Sequence, residues 1–186
     1  GFSDVLHDYQ EQEENTQVRG LNVGRTESGE VFINALQIFY VDGLSEEQKA
    51  AAIEEGKRES DAFVAWLQEN FPGFENAKIA SYPTELYVRE TRHINALYRV
   101  TIADVWESTD KYDTIAYGSY PVDVQAMEKG NFGNVITEAN QYAIPYRSIL
   151  PLEVDNLMVA SKASGYDSLA AGSARIIPTG MSVAEA

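Results

Sequence analysis

Cysteine is absent from the 186-residue sequence, and histidine occurs only twice, at His7 and His93. Without cysteine the chain can form no disulfide, no thiolate nucleophile and no zinc–thiolate site. The two histidines lie far apart without the spacing of metal ligands, so we expect no metal site. Since no apolar run approaches the ~20 residues of a membrane-spanning helix, we expect a soluble protein, with its cellular compartment left undetermined.

Positive charge is scarce as well: the chain contains 14 Lys and Arg but 29 Asp and Glu, so its formal net charge is -15. Nucleic acids and anionic membrane surfaces require clustered Lys and Arg. We therefore expect neither as a partner.

A dinucleotide-binding Gly-x-Gly-x-x-Gly turn is also missing. Such a turn lets the backbone approach a pyrophosphate between a strand and a helix. The glycines at 20–24 and 130–133 have other spacings and follow no apolar strand. The sequence therefore gives no sign of a Rossmann nucleotide site.

Apolar residues make up 44% of the chain, which is enough for a core. The first thirty residues are polar and rich in glycine, and they predict an irregular excursion. Val31 to Val41 predicts a buried strand. Ser45 and Gln48 then form a capping box, which predicts a helix ending near Phe71. Its expected apolar face comprises Ile53, Ser60, Phe63, Val64, Leu67 and Phe71.

Beyond this helix, residues 77–123 alternate as short extended pieces around one helical turn at Ala103 to Ser108. A loop is expected from Ala126 to Asn140. The last elements expected are a short buried strand at 156–160, a helix at 168–177, and a Thr179-capped helix that begins at 179. The sequence thus predicts an α+β fold, in which a mixed, largely antiparallel sheet packs with helices and is followed by a C-terminal segment.

Three strings occur in order, VRETRHI at 88–94, IAYGSYPVD at 115–123, and a tail that runs from IPYR at 144 to GSARIIPT at 172–179. Together, over about residues 80–186, they resemble a bacterial family of FAD-dependent oxidoreductases whose members are often labelled xanthan lyases. The resemblance implies a fragment: residues 1–140 as a substrate-side domain and 141–186 as a truncated part of the FAD-binding domain. The N-terminal nucleotide-binding half would be missing, and the fragment alone would be inactive.

The resemblance also implies that the tail faces the flavin of FAD. The implied cofactor-binding residues are Ala160, Ser161, Lys162, Arg175, Pro178, Thr179 and Gly180. A helix start offers free N–H groups and partial positive charge, which suit an anionic flavin edge or a pyrophosphate. An ordinary capped helix is the alternative. Arg175 could pair with a phosphate or carbonyl of the flavin cofactor, or it could simply bond a carboxylate such as Asp167.

Arg92 and His93 are the candidate catalytic residues for a small-molecule substrate. On an extended segment Arg89 and His93 share one face and Arg92 takes the other. His93 could transfer a proton, or it could be a hydrogen-bonded structural residue.

The sequence departs from the family pattern at several positions. Gln125 stands where members commonly carry His, Gly180 where they often carry Cys, and Ser161-Lys162 where they carry Gly-Arg. Two other classes stay open. A non-enzymatic α+β binding module would explain the missing nucleophile, metal and nucleotide motifs, and the Tyr and Arg content motivates a cofactor-free polysaccharide lyase or hydrolase.

Overall fold

The computed structural model describes residues 6, 8–131, 134–135 and 140–186, and this part of the chain has an α+β fold. In chain order the elements are β1 (Thr16–Arg25), β2 (Val31–Ile38), α1 (Glu46–Asn70), α2 (Ile102–Glu107), β3 (Thr114–Gly118), β4 (Asp123–Val124), β5 (Asn134–Val135), β6 (Tyr142–Pro145), a 3-10 turn (Tyr146–Ile149), α3 (Ser168–Ala174) and α4 (Ile177–Glu185). The predicted α+β class with antiparallel pairing is confirmed. The described strands form three two-stranded sheets, β1–β2, β3–β6 and β4–β5, where we expected one larger sheet.

The chain divides into two compact units. The first unit comprises residues 1–87 and 126–132, and the second comprises 88–125 and 133–186. We expected a domain boundary at residue 140, between a substrate-side domain and part of the FAD-binding domain. That boundary stays a prediction. Among the described residues, no helix is long and apolar enough to cross a bilayer.

In the first unit, β1 and β2 form an antiparallel hairpin. The prediction of an irregular excursion is therefore wrong for residues 16–25. Gly20 has a φ of +60°, and the register shifts between Val18 and Asn22, so the alternation that marks a strand is interrupted. β2 begins at Val31 as predicted, but it ends at Ile38, and Val31 is 50% exposed. The strand is shorter and less buried than predicted.

The start of α1 is confirmed, because Ser45 Oγ accepts a hydrogen bond from the backbone N–H of Gln48. The Gln48 side chain reaches the backbone N–H of Asp42 instead of that of Ser45, so the capping box is only half formed. The buried face comprises Ala52, Gly56, Glu59, Phe63 and Leu67. Of the predicted face, only Phe63 and Leu67 are fully buried.

In the second unit, the β3–β6 pair and helices α2 to α4 supply the core. Its largest buried side chains include Val100, Tyr142, Ile144 and Tyr166. The predicted helical turn at Ala103 to Ser108 is confirmed as α2. The extended pieces predicted before it form only isolated bridges, such as Val100 with Tyr166. Their backbone groups bond to loops and not to neighbouring strands.

Part of the predicted loop at 126–140, residues 132–133 and 136–139, lies outside the described residues. Within the described part, Asn134–Val135 is β5 and pairs with β4.

The tail differs from the prediction in three ways. Residues 156–160 form no strand and are largely exposed. The helix predicted at 168–177 ends at Ala174, because the backbone of Ile176 is extended (ψ 152°) and cannot continue the helix. The last helix begins at Ile177, with Ile176 as its N-cap residue. Thr179 therefore lies inside the first turn and does not cap the helix.

Candidate functional site

Seven polar side chains of the second unit form two groups, one around Glu90 and one around Asp123, which together we call the Glu90–Asp123 cluster. They come from the segment after Val88, from β4 and the residue that follows it, and from the two ends of α3. The members are Arg89, Glu90, His93, Asp123, Gln125, Ser168 and Arg175. The cluster joins residues that the sequence placed in two separate groups, one for substrate and one for cofactor.

Asp123 is one centre of this cluster. Its Oδ2 lies 3.2 Å from Arg175 Nη2 and 3.6 Å from Arg89 Nη1. Its Oδ1 accepts a hydrogen bond from the Gln125 amide at 2.7 Å. Two guanidinium groups thus share one carboxylate: Arg175 forms a charge-assisted hydrogen bond with it, and Arg89 forms a longer ion pair.

Arg175 bonds Asp123 and not Asp167, the carboxylate suggested by the sequence. The Arg175 side chain is only 9% exposed, because α3 ends beside β4. Asp167 is used elsewhere: it accepts from the backbone N–H of Ala170 at 2.7 Å and of Ile102 at 3.1 Å. Both helix starts, α3 and α2, are thereby capped by Asp167.

Glu90 is the other centre of the cluster. Its Oε1 accepts a hydrogen bond from Ser168 Oγ at 2.7 Å and lies 2.9 Å from His93 Nε2. Partial burial by itself raises the pKa of Glu90, but the bonds from Ser168 and His93 hold that pKa below its ordinary value. Glu90 is therefore ionised at neutral pH.

His93 lies between two oxygen acceptors. Its Nε2 faces Glu90, and its Nδ1 lies 2.9 Å from the carbonyl oxygen of Ser164. The side chain is 8% exposed. Arg92, the other predicted catalytic residue, is exposed, so the structure gives the two residues different surroundings.

The predicted cofactor residues Ala160, Ser161 and Lys162 lie on an exposed turn. Ser161 Oγ accepts from the backbone N–H of Ala163 at 3.0 Å, and Lys162 Nζ donates to the carbonyl of Val88. This turn is joined to the segment that carries Glu90 and His93.

The other predicted cofactor residues, Pro178, Thr179 and Gly180, form the first turn of α4. Ile177 is 78% exposed and Pro178 is exposed, whereas Thr179 is 4% exposed. A Cβ built at Gly180 would meet no atom within 4 Å. Pro178 has no N–H and the Gly180 N–H donates to the Ile176 carbonyl at 3.1 Å, so the donors that this helix start can offer are the N–H groups of Ile177 and Thr179, with about half a positive charge. The outer side of this turn is therefore open to a planar, negatively charged group.

Sequence reasoning missed Glu90 and Ser168. Glu90 lies three residues before His93, a spacing that places the two side chains together on a turn but on opposite faces of the extended segment that we expected. Ser168 was placed only as the first residue of a helix. Within the described ranges, no three His, Asp or Glu side chains converge as metal ligands.

A family model described as FAD dependent oxidoreductase matches residues 2–186. Neither a curated protein nor a solved structure gives a significant match.

Proposed function

We propose a role for this chain, which belongs to the FAD dependent oxidoreductase family. It forms the substrate side and flavin rim of an enzyme that oxidises or reduces a small organic molecule. When bound, FAD accepts or returns a hydride, and the protein supplies binding, orientation and charge. The observation that carries the proposal is the family match over residues 2–186, together with the open first turn of α4.

The residues at the opening of α4 fit the edge of a flavin. Gly180 lets a ring approach the backbone closely, because no atom occupies the space where a side chain would lie. In this proposal Pro178 and Gly180 contact the ring, Thr179 takes part through its backbone, and the N–H groups of Ile177 and Thr179 favour negative charge on the ring. Ala160, Ser161 and Lys162 bound the same site from their exposed turn.

Arg175 fits a different role. Its guanidinium is buried against Asp123, so we assign it to holding the end of α3, from which α4 starts two residues later. It contributes positive charge behind the flavin site and acts as a positioning residue.

On the substrate side, Arg92 is the exposed cation and we propose that it contacts the substrate. His93 lies between Glu90 and the Ser164 carbonyl, and its side chain is largely buried. The different exposure of the two residues supports a division of labour, in which Arg92 binds substrate and His93 organises the cluster.

In this proposal the ADP half of FAD is bound by polypeptide outside these 186 residues. The sequence contains no Gly-x-Gly-x-x-Gly turn, and residues 156–160, which have the composition of a buried strand, are exposed. We therefore propose that the isolated chain binds FAD weakly and is inactive alone, since one helix start cannot replace a dinucleotide site.

The visible absorption spectrum of a longer parent protein that contains this chain tests the proposal. The purified parent should be yellow, with about one flavin per chain, and Gly180→Leu should lower the flavin content at least tenfold. Because the space beside Gly180 is open and Leu favours a helix by about 1 kcal/mol over Gly, the variant should fold at least as stably.

Ser182→Leu, at an exposed position of the same helix, is the matched control and should retain the flavin. A colourless parent would contradict the proposal and favour a non-enzymatic binding module. Full flavin content in Gly180→Leu would contradict the placement of the ring at α4.

A further inference from the structure

The imidazole of His93 has a hydrogen-bond acceptor at each nitrogen. The Ser164 carbonyl lies 2.9 Å from Nδ1, and Glu90 Oε1 lies 2.9 Å from Nε2. A carbonyl oxygen and an ionised carboxylate can only accept. Both contacts are therefore hydrogen bonds only when both ring nitrogens carry a proton, which makes the ring an imidazolium.

Surrounding bonds fix this geometry. The backbone N–H of Ile94 donates to the carbonyl of Ala163 at 2.9 Å, which sets Ser164 beside the imidazole. Ser164 Oγ, completely buried, donates back to carbonyls of its own turn. The Ser164 carbonyl that faces Nδ1 therefore has a fixed position, and a carbonyl oxygen can only accept a hydrogen bond.

The carboxylate on the other side is held as firmly. Ser168 Oγ donates to the same Glu90 oxygen at 2.7 Å, and the positive charge of Arg175 acts on Glu90. The ring of Tyr166 also lies against the imidazole, with the two ring centroids 6.3 Å apart in an edge-to-face arrangement. Among the described residues around His93, Glu90 is the group that favours a positive imidazole.

We infer that Glu90 is a positioning residue that keeps both nitrogens of His93 protonated, so that the imidazolium ties the turn at Ser164 to the start of α3. The catalytic meaning of this inference rests on the proposed function, in which a charged His93 supplies positive charge and cannot accept a proton from a substrate. The turn carries Ser161 and Lys162, and α3 leads to α4. The imidazolium therefore connects the two segments proposed to border the flavin.

The ring nitrogens can be observed directly by NMR of the 186-residue chain labelled with ¹⁵N-histidine at pH 7. The chain contains only His7 and His93, and His7→Gln assigns the two rings. Wild-type His93 should show both nitrogens at the shift of protonated imidazole. Glu90→Gln retains the shape and a hydrogen bond but removes the negative charge, so Nε2 should move to the shift of an unprotonated nitrogen while Nδ1 remains protonated.

Glu107→Gln, an exposed glutamate on α2, should leave both His93 signals unchanged. A wild-type Nε2 without a proton overturns the inference, and so does an unchanged His93 spectrum in Glu90→Gln. The wild-type measurement needs no variant, so it decides the matter even if Glu90→Gln unfolds. It also needs no flavin and no substrate, and the proposed function can therefore fail while the inference holds.

Discussion

Glu59 is a carboxylate with no solvent exposure in the middle of α1. Its Oε2 accepts from the backbone N–H of Gln12 at 2.9 Å and of Glu13 at 2.8 Å, and from Thr16 Oγ1 at 3.0 Å. Its Oε1 accepts from the Tyr9 hydroxyl. Burial and this bond to Glu59 both raise the pKa of Tyr9. One side chain thus satisfies the donors of the segment that leads into β1.

Replacing Glu59 should destabilise the first unit. Glu59→Ala leaves three donors, on Tyr9, Gln12 and Glu13, without their acceptor, while Thr16 Oγ1 keeps the Glu13 carbonyl. The substitution should cost about 3 kcal/mol of unfolding free energy. Glu59→Gln should cost less, since its amide oxygen can take the Oε2 position and its NH₂ can donate to the Tyr9 hydroxyl. Urea unfolding followed by Trp66 fluorescence, in a Trp106→Phe background, measures both. Equal costs for the two variants would contradict this account.

Tyr142 is buried in the second unit, and its hydroxyl lies 2.7 Å from Ser173 Oγ. Burial raises the pKa of Tyr142 to about 12, although the bond to Ser173 opposes this. The folded-state pKa lies above the unfolded value of about 10. The stability linked to this proton is therefore fully present below about pH 10 and is lost as the pH rises towards about 12.

Tyr142→Phe should accordingly lose about 1 kcal/mol at neutral pH, because Ser173 loses a partner. Its unfolding free energy should then fall less steeply than that of the wild type between about pH 10 and 12. Urea denaturation at several pH values measures both effects. Tyr112→Phe, at an 86% exposed position, is the control and should follow the wild-type curve. A Tyr142→Phe curve parallel to the wild type would refute the role assigned to burial.

At the residue scale, the sequence predicts groups whose partner is local. The Ser45 cap follows from a donor three residues away. Glu59 could not be predicted, because its partners lie more than forty residues earlier and a glutamate in a helix is ordinarily solvated. For the same reason the sequence suggested nearby Asp167 as the partner of Arg175, whereas the observed partner, Asp123, is 52 residues away.

At the scale of elements, periodic segments were predictable and interrupted ones were not. α1 has strong local signals, a cap and a periodic face, and it starts where we expected. The single helical turn expected at Ala103 to Ser108 also lies close to α2. β1 was missed because its register shifts near Gly20. Residues 156–160 have a strand composition, but composition carries no information on whether a sheet is available to receive them.

Asp167 caps two helices at once, so its loss should weaken both. Asp167→Ala removes the acceptor for the first turns of α3 and α2 and should cost about 2 kcal/mol. Asp167→Asn retains one oxygen and should cost less. Trp106 lies on α2, and its fluorescence in urea, with Trp66 replaced by Phe, reports the change. Asp155→Ala, at an exposed turn, is the control, and a similar cost there would show that the caps contribute little.

For the whole molecule, charge is distributed unevenly. Of the 29 acidic residues, 18 belong to the first unit, together with only 7 of the 14 basic residues. The second unit contains 11 acidic and 7 basic residues. Like charges at this density repel one another and destabilise a compact state. The first unit therefore carries most of the repulsion.

Salt should therefore stabilise the chain, and the first unit most. Raising the ionic strength from about 0.01 M to 0.15 M shortens the screening length from about 30 Å to about 8 Å. This screening weakens repulsion across the whole first unit, whereas the exposed ion pairs that it also weakens, such as Arg58 with Glu13, contribute little. The thermal midpoint reported by Trp66 should rise more than that reported by Trp106, each measured with the other tryptophan replaced by Phe. An equimolar neutral osmolyte should not reproduce the difference, and a midpoint for Trp66 that falls with salt would mean that ion pairs, and not repulsion, dominate the electrostatics of that unit.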